Sequence, residues 1–341
     1  MLQNMRHLDK KIRAFMKLGK YLRRDKIDPQ LNELILKTEK NNSWFTFEYI
    51  IKALRTWGDA LKTENIYRWI SKYNFDSQKV KKIGIIMAGN IPMVGFHDLI
   101  CVLFTNHTAF VKTSSSDPYL IPFIYNKLIE FENDFVERAI FKNTIESVNA
   151  VIASGNNVTI KHINEKFNLY PSILRGNRSS IAILNGEESL KELKLLSNDI
   201  FAYFGFGCRS ITKIYVPKNY NFKPIIRVLK EKSESITLND YLNNFKRVTA
   251  INKMIKSKFY VAGKLVIIQD KSINAEISSI NYEYYDNEES LINEINLNLD
   301  MIQCVVGNNS QKNFIKFGDS QKPSLWNYAD NIDTIKFLLS L

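Results

Sequence analysis

Cysteine is scarce in this chain of 341 residues, which contains only Cys101, Cys208 and Cys304. An odd and widely spaced set of cysteines does not build the disulfide framework of a small secreted domain. No two of them have the CxxC spacing of a metal or redox site, and the four histidines form no HxxxH pair. These absences predict a cytoplasmic protein in a reducing compartment, with no bound metal.

Long apolar runs are also absent. No stretch of about 18 apolar residues occurs, so the sequence predicts no membrane span. Residues 1–24 have neither the apolar core nor the small-residue cleavage site of a signal peptide. They predict instead an amphipathic helix, which we expect to pack on its own protein rather than on a membrane surface. Its apolar positions are Met5, Leu8, Ile12, Phe15, Leu18 and Leu22.

Acidic side chains are fewer than basic ones, 35 against 47, and the net charge is +12. A basic protein raises the possibility of a nucleic-acid partner. The lysines are scattered among acidic residues, however, and neither a zinc-finger spacing nor an RNA-binding aromatic signature occurs. We therefore predict no nucleic-acid partner. The diffuse positive field favours an acidic partner, such as a phosphorylated cofactor or an acidic carrier protein.

The pattern of the chain changes near residue 79. Residues 1–78 predict a helical segment, with one apolar stripe from Phe47 to Leu61 and another that starts after a cap at Thr63. Beyond it, short apolar strands alternate with helices, which predicts an α/β fold with parallel sheets and right-handed crossovers. The predicted strands are 82–89, 108–114, 147–155, 179–186, 210–217, 264–270, 277–285 and 302–308, and the clearest helices are 93–106 and 117–131.

Polar residues and a glycine lie where the first three of these strands end. In chain order they are Asn90, Lys112, Ser114, Ser154 and Gly155. Ligands of parallel sheets bind at the carboxyl ends of the strands, so these residues are candidates for a binding site. Each also has a simpler explanation, such as a turn, a solvated charge or a helix cap.

Cys208 lies between "FGFG" and the strand-like run "SITKIYVP". A free cysteine is often only a packing residue. Here Gly205 and Gly207 remove side chains beside it, so a substrate could approach the backbone and the Cys208 N–H could face an oxyanion. Cys101, in an apolar helix, and Cys304, in an apolar strand, fit core packing better. Cys208 is therefore the candidate nucleophile.

The order of these stretches along the chain is more specific than any one of them. An Asn-x-Pro after a strand is followed by Val-Lys-x-Ser, by a Ser-Gly turn and then by the cysteine. In this order the chain resembles the aldehyde dehydrogenase superfamily, and more closely the acyl-CoA reductase (LuxC) family, which reduces activated fatty acyl groups to aldehydes. The resemblance is carried by "MAGNIPMVGFHDLI", "IFAYFGFGCRSITKIYVP" and "FGDSQKPSLWNYADNIDTIKFL". It covers most of the chain and is weakest in residues 1–40 and 220–300.

The resemblance implies a role for each candidate residue. Cys208 would be the nucleophile that accepts the acyl group, and the Asn90 amide would donate to the oxyanion. The residues implied to contact the nicotinamide cofactor are Lys112 on its adenosine side, Ser154 and Gly155 at its pyrophosphate, and Ser114.

Three departures from the superfamily pattern stand out. The Gly-Ser turn of the superfamily is reversed to Ser154-Gly155 here. Leu174 stands at about the place of the glutamate base that acid-forming members carry. The chain is also shorter than ordinary aldehyde dehydrogenases, so we expect a reduced oligomerisation segment.

The resemblance also implies a domain organisation of the aldehyde dehydrogenase type. A helical segment, residues 1–78, would precede a Rossmann-type nicotinamide cofactor-binding domain, residues 79–200. A catalytic α/β domain, residues 201–341, would carry the nucleophilic cysteine, and its C-terminal tail could return to the first domain.

The implied activity is the NADPH-dependent reduction of a fatty acyl thioester to the aldehyde through an acyl-cysteine. An acyl-CoA or an acyl carrier protein would be the donor, an acyl-transferring enzyme would be a partner, and the protein would be a homo-oligomer. Two alternatives stay open. One is a cysteine-dependent acyltransferase or thioesterase with a degenerate cofactor site, and the other is a basic binding protein without enzymatic activity.

Overall fold

The computed structural model of the protein describes residues 2–75, 79–308 and 314–341, with side chains from residue 7 onward. Met5 of the predicted amphipathic stripe thus lies outside the described side chains. The chain divides into two compact units. The first unit is Met1–Asn177 together with Lys322–Leu341, and the second unit is Arg178–Gln321.

Four helices come before the first strand. They are α1 Leu2–Leu22, α2 Pro29–Asn41, α3 Phe47–Ala60 and α4 Thr63–Ile70. The prediction that α1 packs on its own protein is confirmed, because Phe15 is fully buried and its ring stacks on that of Phe104 with 4.9 Å between centroids. The predicted cap at Thr63 is wrong: Lys62 is the N-cap residue, and its side chain makes no capping bond.

The first unit contains a five-stranded parallel sheet. Its strands are β1 Lys82–Ile86, β2 Thr108–Lys112, β3 Ala139–Phe141, β4 Ala150–Ser154 and β5 Ser172–Arg175. Its helices are α5 Phe96–Phe104, α6 Leu120–Phe131 and α7 Asn157–Phe167. The strand order β3-β2-β1-β4-β5 reverses between β1 and β4, as in Rossmann-type folds. The carboxyl ends of these strands therefore define the place where a ligand would bind.

The second unit contains a seven-stranded sheet. Its strands are β6 Ser179–Ile183, β7 Ile211–Pro217, β8 Phe259–Val261, β9 Val266–Gln269, β10 Ser279–Tyr285, β11 Ile302–Val306 and β12 Phe314–Ile315. The order is β12-β11-β6-β7-β10-β9-β8, and only β8 pairs antiparallel among the described strands. The helices are α8 Leu190–Phe201, α9 Lys223–Ser233, α10 Asn239–Met254 and α11 Glu288–Leu297.

The division between the units falls earlier than the predicted boundary near residue 200. It lies after Asn177, because β6 pairs with β7 and β11 in the middle of the second sheet. Sequence patterns identify β6 as a strand but do not say which sheet it joins. Pairing between residues far apart in the chain decides that question.

The C-terminal residues 322–341 belong to the first unit and end in α12, Thr334–Leu339. Arg175, at the end of β5, is buried and holds this helix: its guanidinium donates to both Asp98 carboxylate oxygens at 2.9 and 2.8 Å and to Thr334 Oγ1 at 2.9 Å. A buried ion pair with a third acceptor thus ties β5, α5 and α12 together.

Two classes of feature are absent from the part of the chain that the structure describes. None of its helices is both long and apolar enough to cross a membrane. Among the same residues, no group of three or more His, Cys, Asp or Glu side chains could hold a metal ion.

Candidate active site

Asn90 lies in the loop that leaves β1, and this loop is held at both ends. The buried carboxylate of Asp117 accepts the N–H of Met93 at 3.0 Å. Burial raises the pKa of Asp117 to about 6, so the group is still mostly ionised at neutral pH. A Cβ added at Gly89 would lie 2.3 Å from Ser114 Oγ, so only glycine lets the two loops approach this closely. The loop is fixed, whereas Asn90 itself is exposed.

Lys112 is the last residue of β2 and is exposed. Its carbonyl oxygen accepts the N–H of Met87 at 3.0 Å, which continues the pairing with the strand beside it. Its ammonium forms no ion pair with any residue that the structure describes. Ser114, two residues later, accepts the N–H of Ser116 at 3.2 Å and so shapes the loop. An exposed cation at the carboxyl edge of the sheet can meet an anionic ligand.

Ser154 ends β4, and Gly155 joins this strand to α7. Asn156 caps the helix by accepting the N–H of Thr159 at 2.8 Å. A Cβ at Gly155 would lie 3.0 Å from Thr159 Cγ2, which leaves little space for a side chain. Backbone N–H groups at the start of a helix carry partial positive charge and suit a phosphate group. The Ser-Gly turn thus adjoins a helix N-terminus at the carboxyl edge of the first sheet.

Leu174 lies on β5 and packs on an apolar cluster of the first unit that contains Phe110, Ile163 and Phe167. Its neighbour Arg175 is committed to Asp98. The place that the resemblance assigns to a glutamate base therefore holds an apolar side chain with apolar neighbours. The nearby acid Asp98 is already paired with a cation.

Cys208 precedes β7 in the second unit and is the only exposed member of the three cysteines, all of which the structure describes. The turn before it is strained. Tyr203, Phe204 and Gly205 adopt φ values of 50°, 56° and 89° in succession. A left-handed conformation costs an ordinary residue about 1–2 kcal/mol, so the surroundings must hold the two aromatic residues in place. Strain of this kind is concentrated at functional sites.

Several side chains hold the Cys208 turn from within the second unit. The Ser210 N–H donates to the carbonyl of Gly207 at 2.8 Å, and its hydroxyl donates to Ala202 O at 3.0 Å. Gln321 Nε2 in turn donates to Ser210 Oγ at 3.2 Å. The segment that carries Gln321 is fixed by the buried Asp199.

Asp199 is a supporting residue of the Cys208 turn that sequence reasoning missed. It accepts the N–H of Gly318 at 2.6 Å, together with the N–H and hydroxyl of Ser320 at 3.2 and 2.8 Å. Burial raises its pKa. The available signal was the motif "FGDSQ", which belongs to a stretch that carries the family resemblance. Its partner lies more than a hundred positions earlier in the chain, and no local pattern indicates that pairing.

A small crevice, partly open to solvent, lies beside the same turn within the second unit. Its walls are mainly apolar and include Phe204, Tyr241, Leu265 and Ile277. The rings of Phe204 and Tyr241 are 5.7 Å apart between centroids. The strained turn thus contributes one wall of an apolar crevice.

The fold is that of the aldehyde dehydrogenases, as predicted. The aldehyde dehydrogenase KauB from Pseudomonas aeruginosa superposes with a TM-score of 0.65 at 12% identity, over 89% of this chain and 72% of that one. An NAD+ complex of aldehyde dehydrogenase from Bacillus cereus gives a TM-score of 0.61 at 13% identity, over 89% of this chain and 72% of that one. At these identities the likeness concerns the fold alone.

The sequence comparison is more specific. Residues 60–237 match the family model described as acyl-CoA reductase (LuxC), which is more than half of the chain, so this protein belongs to that family. A curated relative, long-chain acyl-protein thioester reductase 2 of Photobacterium leiognathi, is 26% identical over 146 residues. That match covers 38% of this chain and 30% of the relative. All six candidate site residues lie within residues 60–237.

Proposed function

We propose that this protein is an NADPH-dependent acyl-thioester reductase that forms an acyl-cysteine at Cys208. The observation that carries the proposal is Cys208 itself: the one exposed cysteine, on a strained and well-held turn, within the range that matches the LuxC family. The relative's name specifies an acyl-protein donor and the family description an acyl-CoA donor. Both donor types are therefore candidates.

The proposed reaction starts with the Cys208 thiolate. Only a few per cent of an ordinary cysteine is ionised at neutral pH, but a thioester tolerates this because its leaving group is also a thiolate. Cys208 Sγ attacks the acyl carbonyl carbon, and Asn90 is the proposed side-chain donor to the resulting oxyanion. Expulsion of the donor thiolate leaves the acyl-cysteine.

The reduction needs a nicotinamide cofactor, which supplies a hydride when bound. The first unit fits such a group: the Rossmann-type strand order, the exposed Lys112 ammonium and the α7 N-terminus after Gly155 lie at one sheet edge. A hydride supplied to the acyl-cysteine would leave the alkoxide of a thiohemiacetal on Cys208. Collapse of this alkoxide would release the aldehyde and regenerate the Cys208 thiolate. NADPH is proposed over NADH because the family resemblance favours a phosphorylated cofactor and Lys112 offers an exposed cation.

The deciding experiment is an intact-mass measurement on the full chain. It would be incubated with fatty acyl-CoA and acyl carrier protein thioesters of several lengths, and then with NADPH. Covalent acyl addition that NADPH releases as aldehyde would support the reductase. Addition without NADPH oxidation would favour an acyltransferase, and no addition from any donor would favour a binding protein. Size-exclusion chromatography with light scattering would test the proposed homo-oligomer, and the same run with an acyl-transferring enzyme would test that partner.

Asn90→Ala should lower the rate of acylation by about 100-fold or more, because one oxyanion donor is commonly worth about 3 kcal/mol. Stopped-flow acylation kinetics and an unfolding curve would check this. Asn90→Asp is the discriminating control, since aspartate suits a turn as well as asparagine but cannot donate from its carboxylate. A fully active Asn90→Asp variant would show that Asn90 only shapes the turn and does not donate to the oxyanion.

Lys112→Ala should weaken apparent NADPH binding by about tenfold or more, the effect expected on losing one charge-assisted contact to an anion. Acylation of Cys208 without NADPH should stay unchanged. Titration of NADPH in the steady state measures the first effect, and Lys161→Ala, an exposed lysine of the same unit, is the control. Loss of acylation alone would contradict the cofactor role.

The acyl-enzyme should persist when NADPH is withheld, and aldehyde with little free acid should form when it is supplied. An apolar Leu174 cannot take a proton from water, so hydrolysis lacks the base that acid-forming relatives use. The measurement compares the fatty acid released without NADPH with the aldehyde formed with it. Acid release as fast as reduction would reveal another base and favour a thioesterase.

A further inference from the structure

A short chain of hydrogen-bonded side chains lies beneath Cys208 in the second unit. The Ser180 hydroxyl oxygen is 2.8 Å from the carbonyl oxygen of Cys208 and 3.0 Å from the sulfur of Cys304. Ser180 is fully buried on β6, and Cys304 is buried on β11. The sequence predicts only a packing role for Cys304, whereas the structure connects it to the proposed nucleophile.

The direction of these bonds follows from the protons available. A carbonyl oxygen can only accept, so the single hydroxyl proton of Ser180 is donated to Cys208. The contact between Ser180 and Cys304 therefore uses the thiol proton, which Cys304 donates to Ser180 Oγ. Burial raises the pKa of Cys304 and keeps this thiol protonated. The chain of donation runs from Cys304 through Ser180 to the Cys208 carbonyl.

Irregular pairing on both sides of β6 brings these groups together. On one side, Ser180 and Ile181 are adjacent on β6, whereas their partners on β7, Ile211 and Lys213, are two positions apart. On the other side, Ser179 and Ile181 are two positions apart on β6, whereas their partners on β11, Ile302 and Val305, are three positions apart. Each mismatch is a bulge, and bulges re-aim side chains and are frequent beside active sites. Two bulges at one level of the sheet thus account for the meeting of Ser180 and Cys304, which regular strand pairing would not explain.

We propose that Ser180 and Cys304 are positioning residues for the Cys208 nucleophile, an inference that rests on the proposed function of Cys208. Ser180 holds the carbonyl of Cys208, while the Ser210 N–H holds that of Gly207. The peptide planes on both sides of the Cys208 α-carbon are therefore fixed. This sets the direction of the Cys208 Cα–Cβ bond and of the Cys208 N–H before the substrate arrives, which lowers the cost of reaching the attack geometry.

The test is a double-mutant cycle on the full chain, read as the rate constant of Cys208 acylation by a fatty acyl-CoA. Ser180→Ala should slow acylation about tenfold, the upper range for one neutral hydrogen bond. Cys304→Ala should slow it less, about threefold, because a thiol is a weak donor. Cys304→Ser should restore the rate, since a hydroxyl also donates. The KM for the acyl donor should be unchanged in all variants.

The double variant Ser180→Ala/Cys304→Ala should be no slower than Ser180→Ala, because Cys304 acts only through the serine hydroxyl. Additive losses, or a Cys304→Ser variant as slow as Cys304→Ala, would overturn the proposal. Unfolding midpoints show whether each variant is folded. If Ser180→Ala does not fold, the acylation rates of Cys304→Ser and Cys304→Ala by themselves decide whether the proposal holds.

A second readout separates this inference from the function on which it rests. Iodoacetamide should alkylate the exposed Cys208 without any acyl donor. Among the variants, Ser180→Ala should change the rate of this alkylation most and Cys304→Ser least. If no thioester acylates the wild-type chain, the proposed function fails. The ranking of alkylation rates then still decides whether Ser180 and Cys304 position Cys208.

Discussion

Cys208→Ala should abolish both acylation and aldehyde formation, while the variant stays folded. Alanine has no group that can attack a thioester. The side chain of Cys208 is exposed, so its removal leaves no cavity in the core. Intact mass after incubation with acyl thioesters, and NADPH oxidation followed by absorbance, would measure the two losses.

The other two cysteines supply the controls for this experiment. Cys101 is buried in α5, and Cys101→Ala should keep full acyl labelling of Cys208. Cys304→Ala should still be labelled at Cys208, although more slowly. Acyl label that survives in Cys208→Ala would defeat the proposed mechanism, because both other thiols are buried and neither lies on the strained turn.

Asp98→Ala should lower the free energy of unfolding by about 3–5 kcal/mol, because it leaves the buried Arg175 cation without its carboxylate. The Thr334 hydroxyl alone cannot replace a charged partner. The loss should appear as a lower midpoint in urea denaturation, and α12 should become more accessible to protease, since Arg175 ties that helix to β5.

A matched control exists on the surface of the same unit. Asp59 pairs with Lys62 at 2.8 Å, but both side chains are about half exposed, so Asp59→Ala should cost at most about 1 kcal/mol. The double variant Asp98→Leu/Arg175→Met should recover much of the stability, because it removes both buried charges at once. A loss in Asp98→Ala as small as that of the surface control would show that water reaches the buried pair.

Much of the fold could be predicted from local pattern. The structure has a strand within each of the eight predicted segments, namely β1, β2, β4, β6, β7, β9, β10 and β11. The strands that escaped prediction are short or polar, such as β3 with three residues and β5 with the sequence "SILR". Such strands exist because a neighbour pairs with them, and their own residues carry little signal. α2 was not delimited, although Asp28 caps it and Pro29 begins it.

The sequence by itself determined the α/β class, the family and the six candidate residues. Strand periodicity, strand-end residues and the surroundings of a cysteine are local properties of a chain. Only the tertiary structure decided that β6 joins the second sheet, that Asp98 neutralises Arg175, and that Ser180 and Cys304 meet beneath Cys208. Each of these contacts joins residues far apart in the chain. Their formation depends on strand order, register and burial, which no short stretch of sequence encodes.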